Sequence, residues 1–116
     1  MVEVITTDEF VAWYDALDEA DTIAVVRVVD LLAARGVSLG FPYSSEIKGS
    51  RYALRELRVQ SGGRPVRILY AFDPKRQALL LLGAEKTGLS DERFYKTYVP
   101  QAEALWEEYL RDMEDE

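Results

Sequence analysis

Six side chains in the middle and late parts of the chain have the types and spacing to do chemistry on an anion. They are Lys48, Arg51, Arg55, Arg58, Arg67 and Lys86, with Tyr52, Tyr95 and Tyr98 nearby. Guanidinium groups suit phosphate because their planar forks bind its oxygens in pairs. Tyrosine rings can stack on unpaired bases. Arg67 is the most informative single residue. It falls in the alternating segment Val66-Arg67-Ile68-Leu69-Tyr70, and a mid-strand arginine needs a partner. The bland alternative is a structural salt bridge to Glu56 or Glu85. Lys86 could equally be a simple edge lysine, and Tyr95 and Tyr98 could be core residues of an amphipathic helix.

Composition limits the chemistry. The 116 residues include no cysteine and no histidine, so thiol catalysis and thiolate metal sites are excluded, and the usual neutral-pH base is missing. Acid–base work must fall to Tyr, Lys, Asp or Glu. Ser50 and Ser61 have no base beside them, and Gly62-Gly63 is a lone turn rather than a phosphate loop. The net charge of −7 hides a pattern. Residues 1–40 carry 2 basic and 8 acidic side chains, residues 41–76 carry 8 and 3, and residues 99–116 carry 1 and 7. A basic middle can bind an anion locally, because charge acts over a Debye length of about 10 Å. The same pattern also fits basic residues paired to acidic helices.

The elements that must position these groups can be read from periodicity. Val2-Glu3-Val4-Ile5 reads as a short first strand. Thr6 followed by Glu9 fits a capping box, so a helix begins near Thr7, with Phe10, Trp13, Tyr14 and Leu17 on one face. A second helix runs from Asp18 or Asp21 to Arg35 with a stripe of Ile23, Val26, Val28 or Val29, and Leu32, ended by Gly36. Residues 36–46 read as loop. Leu54–Gln60, Pro65–Phe72 and Gln77–Ala84 then form a three-stranded meander turned at Ser61-Gly62-Gly63 and Asp73-Pro74-Lys75-Arg76. Four consecutive leucines suggest that its third strand is buried on both faces. After Ser90 a helical period continues through Phe94, Tyr98, Ala102, Leu105 and Tyr109. Pro100 predicts a kink or a break, and the acidic tail after Leu110 is expected to fray. The order is strand, helix, helix, meander, helix: one α+β domain, with helices on one face of a largely antiparallel sheet. No apolar run is long enough to span a membrane and no secretory signal pattern opens the chain, so a cytoplasmic location is expected.

The segments KGSRYALRELRVQSGGRPVRILYAFDP, ALLLLGAEKTG and RFYKTYVPQAEALWEEYL, in this order and spacing, resemble the HigB-like branch of the RelE/ParE toxin superfamily, small toxins of type II toxin–antitoxin systems. The resemblance covers nearly the whole chain. It implies a RelE-like fold, an antiparallel sheet backed by N-terminal helices. It also implies a metal-independent, cofactor-free mRNA endonuclease (mRNA interferase) that works on the ribosome and arrests translation. Implied partners are mRNA, the ribosome and a cognate antitoxin, often a helix-turn-helix DNA-binding protein covering the basic meander. In such enzymes the ribose 2′-hydroxyl attacks the adjacent phosphate. Carried over, the arginine of the family's R-x-x-Y strand falls on Arg67 as phosphate clamp. The basic residue after the last strand falls on Lys86. The tyrosine of the C-terminal region falls on Tyr95, stacking on a base or donating a proton. Arg58 matches a basic position, and Lys48 and Arg51 would grip the RNA or ribosomal backbone. One departure stands out: where RelE proper carries a lysine base, this chain has Glu56. A ParE-like gyrase inhibitor without ribonuclease activity, and a degenerate antitoxin-binding module, remain as alternatives.

Overall fold

A computed structural model describes all 116 residues. The order is β1 (Val4–Thr6), α1 (Asp8–Asp15), α2 (Glu19–Arg35), a 3-10 turn (Gly36–Ser38), β2 (Ser44–Glu46), β3 (Arg55–Ser61), β4 (Arg64–Phe72), β5 (Ala78–Glu85) and α3 (Asp91–Glu114). The class is α+β, as the sequence indicates. The five strands form one sheet in the order β1-β5-β4-β3-β2. It is mixed, because β1 runs parallel to β5 while every other pair is antiparallel. The meander sits at its centre.

The sheet's register follows from its turns. Gly62 and Gly63 both take positive φ, 57° and 78°, the backbone that a tight two-residue hairpin demands. The turn pairs Ser61 with Arg64, which places Arg58 opposite Arg67 and Glu56 opposite Leu69. Between β4 and β5, Leu69 pairs with Leu82 but Tyr70 with Leu80, so Leu81 is an extra residue in β5. That bulge explains the leucine run. Leu79, Leu81, Leu82 and Ala84 pack on one side, while Ala78 and Leu80 pack on the other.

Two corrections to the sequence reading concern the layers. The helices do not share one face. Phe10 of α1 and Val25, Val28 and Leu32 of α2 pack with Leu57, Val59, Val66, Ile68 and Tyr70 on one side of the sheet. Phe94, Ala102 and Trp106 of α3 pack with Leu54, Leu69, Ala71, Leu79 and Leu81 on the other. A sheet whose central strands are apolar on both faces needs cover on both. The expected α2 stripe holds at Val28 and Leu32, which are buried, but Ile23 and Val26 are exposed and Val25 is buried in their place. With apolar residues spread around most of the helix, periodicity alone cannot select the packed face.

Smaller differences have local causes. Thr7 caps α1, its hydroxyl accepting from Phe10 N at 3.0 Å, and Asp18 caps α2 through Asp21 N at 2.8 Å. Within the expected loop 36–46, Ser44–Glu46 adds an edge strand to β3. Its Ser44 is buried against the Tyr70 hydroxyl at 2.6 Å. Pro100 neither breaks nor splits α3, which runs on to Glu114. It follows the first turns, and the helix on either side is held by Phe94 and Tyr98 before it and Ala102 and Trp106 after it.

Gly83 has a packing role. It faces α1, and a methyl group built there would sit 2.4 Å from the Trp13 ring. Gly83→Ala should therefore lower stability by about 1–3 kcal/mol, the usual cost of overpacking. Urea midpoints of the two proteins at equal m-value would check it.

Candidate active site

Period-2 alternation delivers one set of polar side chains of the meander to the face covered by α3. Glu56 and Arg58 project there from β3, Arg67 from the facing position on β4, and Lys86 from just beyond β5, where its N–H donates to Pro65 O at 2.8 Å. Alternation in β2 sends Ser45 to the same face. The N-terminal turns of α3 bring Asp91 and Tyr95 over the top. Ser90 starts the helix at this place by accepting from Arg93 N at 3.2 Å.

Glu56 is the hub. It is 2% exposed. Its Oε2 accepts from the Tyr95 hydroxyl at 2.6 Å and from Ser45 Oγ at 3.0 Å. Arg58 Nη1 lies 3.6 Å from the same oxygen. Its other oxygen, Oε1, faces Arg67 Nε at 3.7 Å, too long for a hydrogen bond. Arg67 is 4% exposed, and its Nη1 donates to Val66 O at 3.1 Å. Glu56 Oε1 and Arg67 Nε are both buried, and neither makes a hydrogen bond within the protein. Lys86 pairs with Asp91.

The electrostatics are those of a crowded cationic floor around one carboxylate. Burial pulls the Arg67 guanidinium below its ordinary value, and the like charge of Arg58 adds to this while Glu56 opposes it. An arginine stays charged nonetheless. Burial pushes the Tyr95 phenol far up, reinforced by its hydrogen bond to Glu56, so it remains a neutral donor. The Lys86 ammonium holds the Asp91 carboxyl below its usual range, with smaller contributions from Arg67 and Arg58. Arg58, Arg67 and Lys86 thus share one electrostatic neighbourhood with only two carboxylates to balance them.

Of the six residues that the family resemblance assigns to the site, the structure brings four together: Arg58, Arg67, Lys86 and Tyr95. Arg51 lies elsewhere. It is held against α3 by Glu107, with Nη2 3.4 Å from Oε2, and by Glu103, which accepts from its backbone N–H at 3.0 Å. Those glutamates follow Tyr95 by two and three helical turns, about 12 and 18 Å along the axis. Lys48 is exposed in the turn after β2 and makes no ion pair. Tyr95 does not present a free hydroxyl, because that group is committed to Glu56. Arg67 forms a floor beneath the more accessible Arg58. The ion-pair reading of the basic segment also holds in part. Arg67 does face Glu56, Arg51 pairs with α3, and Arg64 bridges Asp21 of α2 and Glu85. Sequence reasoning offered Glu56 both as a salt-bridge partner for Arg67 and as a departure from the family's lysine, and passed over Ser45 and Asp91.

Tyr95 belongs to a set of three phenols that each donate to a carboxylate. Tyr52 donates to Glu107 at 2.6 Å, and Tyr109 to Asp73 at 2.7 Å. The Glu107 hydrogen bond pushes Tyr52 up, and burial followed by Asp73 pushes Tyr109 up to about 12. Each phenol holds its proton more tightly in the folded chain than in the unfolded one. Their stabilisation is fully present below pH 10 and is lost as pH rises above it, for Tyr109 between 10 and about 12. Urea denaturation at pH 8, 10 and 11.5 should show flat stability to pH 10 and a fall beyond it.

Residues 12–107 match the family described as Phage derived protein Gp49-like (DUF891), and the chain belongs to that family. Two proteins of Mycobacterium tuberculosis are similar to it. One, named "Putative toxin HigB3", is 37% identical over 108 residues, which cover 92% of each chain. The other, named "Putative toxin HigB2", is 37% identical over 106 residues, 90% of this chain but 52% of that protein, so the chain spans about half of its length.

Proposed function

We propose that this protein is the toxin of a type II toxin–antitoxin system and that it cleaves mRNA on the ribosome at the Glu56–Arg58–Arg67–Tyr95 cluster. Similarity to two proteins named as HigB toxins supports the first part. A single observation carries the second. A buried carboxylate oxygen and a buried guanidinium N–H face each other at 3.7 Å, both without a hydrogen bond. Orphaned buried polar atoms are costly, and a structural ion pair would close that gap. A base and a guanidinium poised for a reacting group have reason to leave it open.

The chemistry needs no group beyond these side chains. Glu56 is the net proton acceptor. The ribose 2′-hydroxyl gives its proton to the Tyr95 oxygen as Tyr95 passes its own to Glu56, a relay that avoids a free phenolate. The 2′-oxygen attacks phosphorus, and the bond from phosphorus to the 5′-oxygen breaks. The products are a 2′,3′-cyclic phosphate and a 5′-hydroxyl, which takes a proton from Lys86. Arg58 and Arg67 bear the charge that builds on the phosphoryl oxygens, a contribution on the order of 3–4 kcal/mol for one well-placed donor. Lys86 must first leave Asp91, and an incoming phosphate is the competitor for that exchange. A cognate antitoxin, encoded beside the toxin, would suppress the activity.

Induced expression in a bacterial host tests this reading. Growth should arrest with a prompt fall in amino-acid incorporation, reversed by co-expressing the neighbouring frame. Arrest with DNA damage and continued translation would favour a gyrase inhibitor instead. Harmless expression with tight binding to the neighbour's product would favour an interaction module.

A further inference from the structure

A second groove, of about 330 Å³, adjoins the cluster at the edge of the sheet. It runs from Arg27 on α2 to Arg58 and Gln60 on β3, and the loop carrying Phe41 and Tyr43 forms its wall. Phe41 is 79% exposed, among the most exposed large apolar side chains of the chain. No apolar neighbour covers it. The Arg58 guanidinium lies over its ring instead, 5.6 Å from the centroid. Arg58 is also the residue whose Nη1 reaches toward Glu56. One side chain therefore joins the cluster to the groove.

We propose that this groove is a second nucleotide subsite, in which an unpaired RNA base stacks on Phe41 while Arg27 and Arg58 hold the flanking phosphates. The proposal rests on the ribonuclease reading above and names a residue that would set its sequence preference. An exposed aromatic face beside guanidinium groups is the combination that binds single-stranded nucleic acid. Gln60, with one amide acceptor and two donors, can read the edge of a stacked base. Arg27 makes no ion pair and is free for phosphate. By contrast, the groove between α1 and α2 is lined by eight apolar residues of ten, with Asp30 its one charged group, and does not suit a polyanion.

The test maps mRNA 5′ ends after a short pulse of expression of the full chain and its variants at equal abundance. Phe41→Ala should lower cleavage roughly 5- to 150-fold, the measured range for loss of one base stack. It should also flatten the base preference at one nucleotide next to the cut. Phe41→Trp should retain both. Arg27→Ala should reduce cleavage evenly whatever the flanking base, because phosphate contacts carry no sequence information. The thermal midpoint should stay unchanged for Phe41→Ala, since the ring packs on little. Wild-type cutting and preference in Phe41→Ala would overturn the subsite and leave the proposed function standing. Loss in Phe41→Trp as well as in Phe41→Ala would overturn stacking as its basis. Intact mRNA with the wild-type chain would overturn the ribonuclease reading and the subsite together.

Discussion

Glu56→Gln is expected to reduce mRNA cleavage by on the order of 10²- to 10⁴-fold while the protein stays folded, the loss that follows removal of a general base. Glutamine keeps an oxygen for the Tyr95 and Ser45 hydroxyls, which bond Glu56 at 2.6 and 3.0 Å. It cannot take up a proton at neutral pH, so the relay from Tyr95 has no terminus. It also leaves Arg67 buried without its facing charge. Breaking a buried pair costs up to about 3–5 kcal/mol, and an isosteric change should cost less. A domain with ordinary stability of about 5–15 kcal/mol tolerates that. Growth arrest, mRNA integrity and a urea melt on the same variant separate the two effects.

The second large effect concerns Arg67. Arg67→Lys keeps a cation beside Glu56 but loses the planar fork, and should lower cleavage about 10²- to 10³-fold with small change in fold. Arg67→Ala is a poorer probe. It strips the counter-charge from a carboxylate that is 2% exposed, so lost activity could follow from lost structure. The informative companion is the double variant Glu56→Gln/Arg67→Met. It removes both buried charges while keeping volume and the oxygen that Tyr95 and Ser45 need. Buried ion pairs replaced this way are often neutral or stabilising. The expected result is an inactive protein at least as stable as Glu56→Gln alone. If the double variant were less stable than Glu56→Gln alone, the pair would be structural glue rather than a base and a guanidinium poised for substrate.

Much of this arrangement is legible in the chain before it is folded. The period-2 pattern separates Glu56, Arg58 and Arg67 from Leu57, Val59 and Val66. The Gly62-Gly63 turn then fixes the register that sets Arg58 opposite Arg67 and Glu56 one diagonal away. Counting outward from that turn selects Glu56 over Glu85 as the partner of Arg67. What could not be read was tertiary. Nothing local says that α3 crosses the face opposite α1 and α2, so nothing places Tyr95 on Glu56, or Asp91 on Lys86. Arg51 looked equivalent to Arg58 in type and spacing. Its assignment to Glu103 and Glu107 depends on where α3 lies. The valine-rich α2 gave a helix but only part of its buried face, because a helix apolar around most of its circumference carries little phase. Phe41, in a segment read as loop, had no periodic neighbour to flag its exposure.

The most direct test of the central claim is the chemistry of the RNA ends. Total RNA would be taken minutes after induction of the wild-type chain and of Glu56→Gln at matched protein levels, and upstream fragments assayed for 2′,3′-cyclic phosphate. The wild type should yield new mRNA fragments with cyclic phosphate ends and 5′-hydroxyl partners, and the variant neither. Equal fragments from Glu56→Gln, or wild-type arrest with mRNA intact, would contradict the claim.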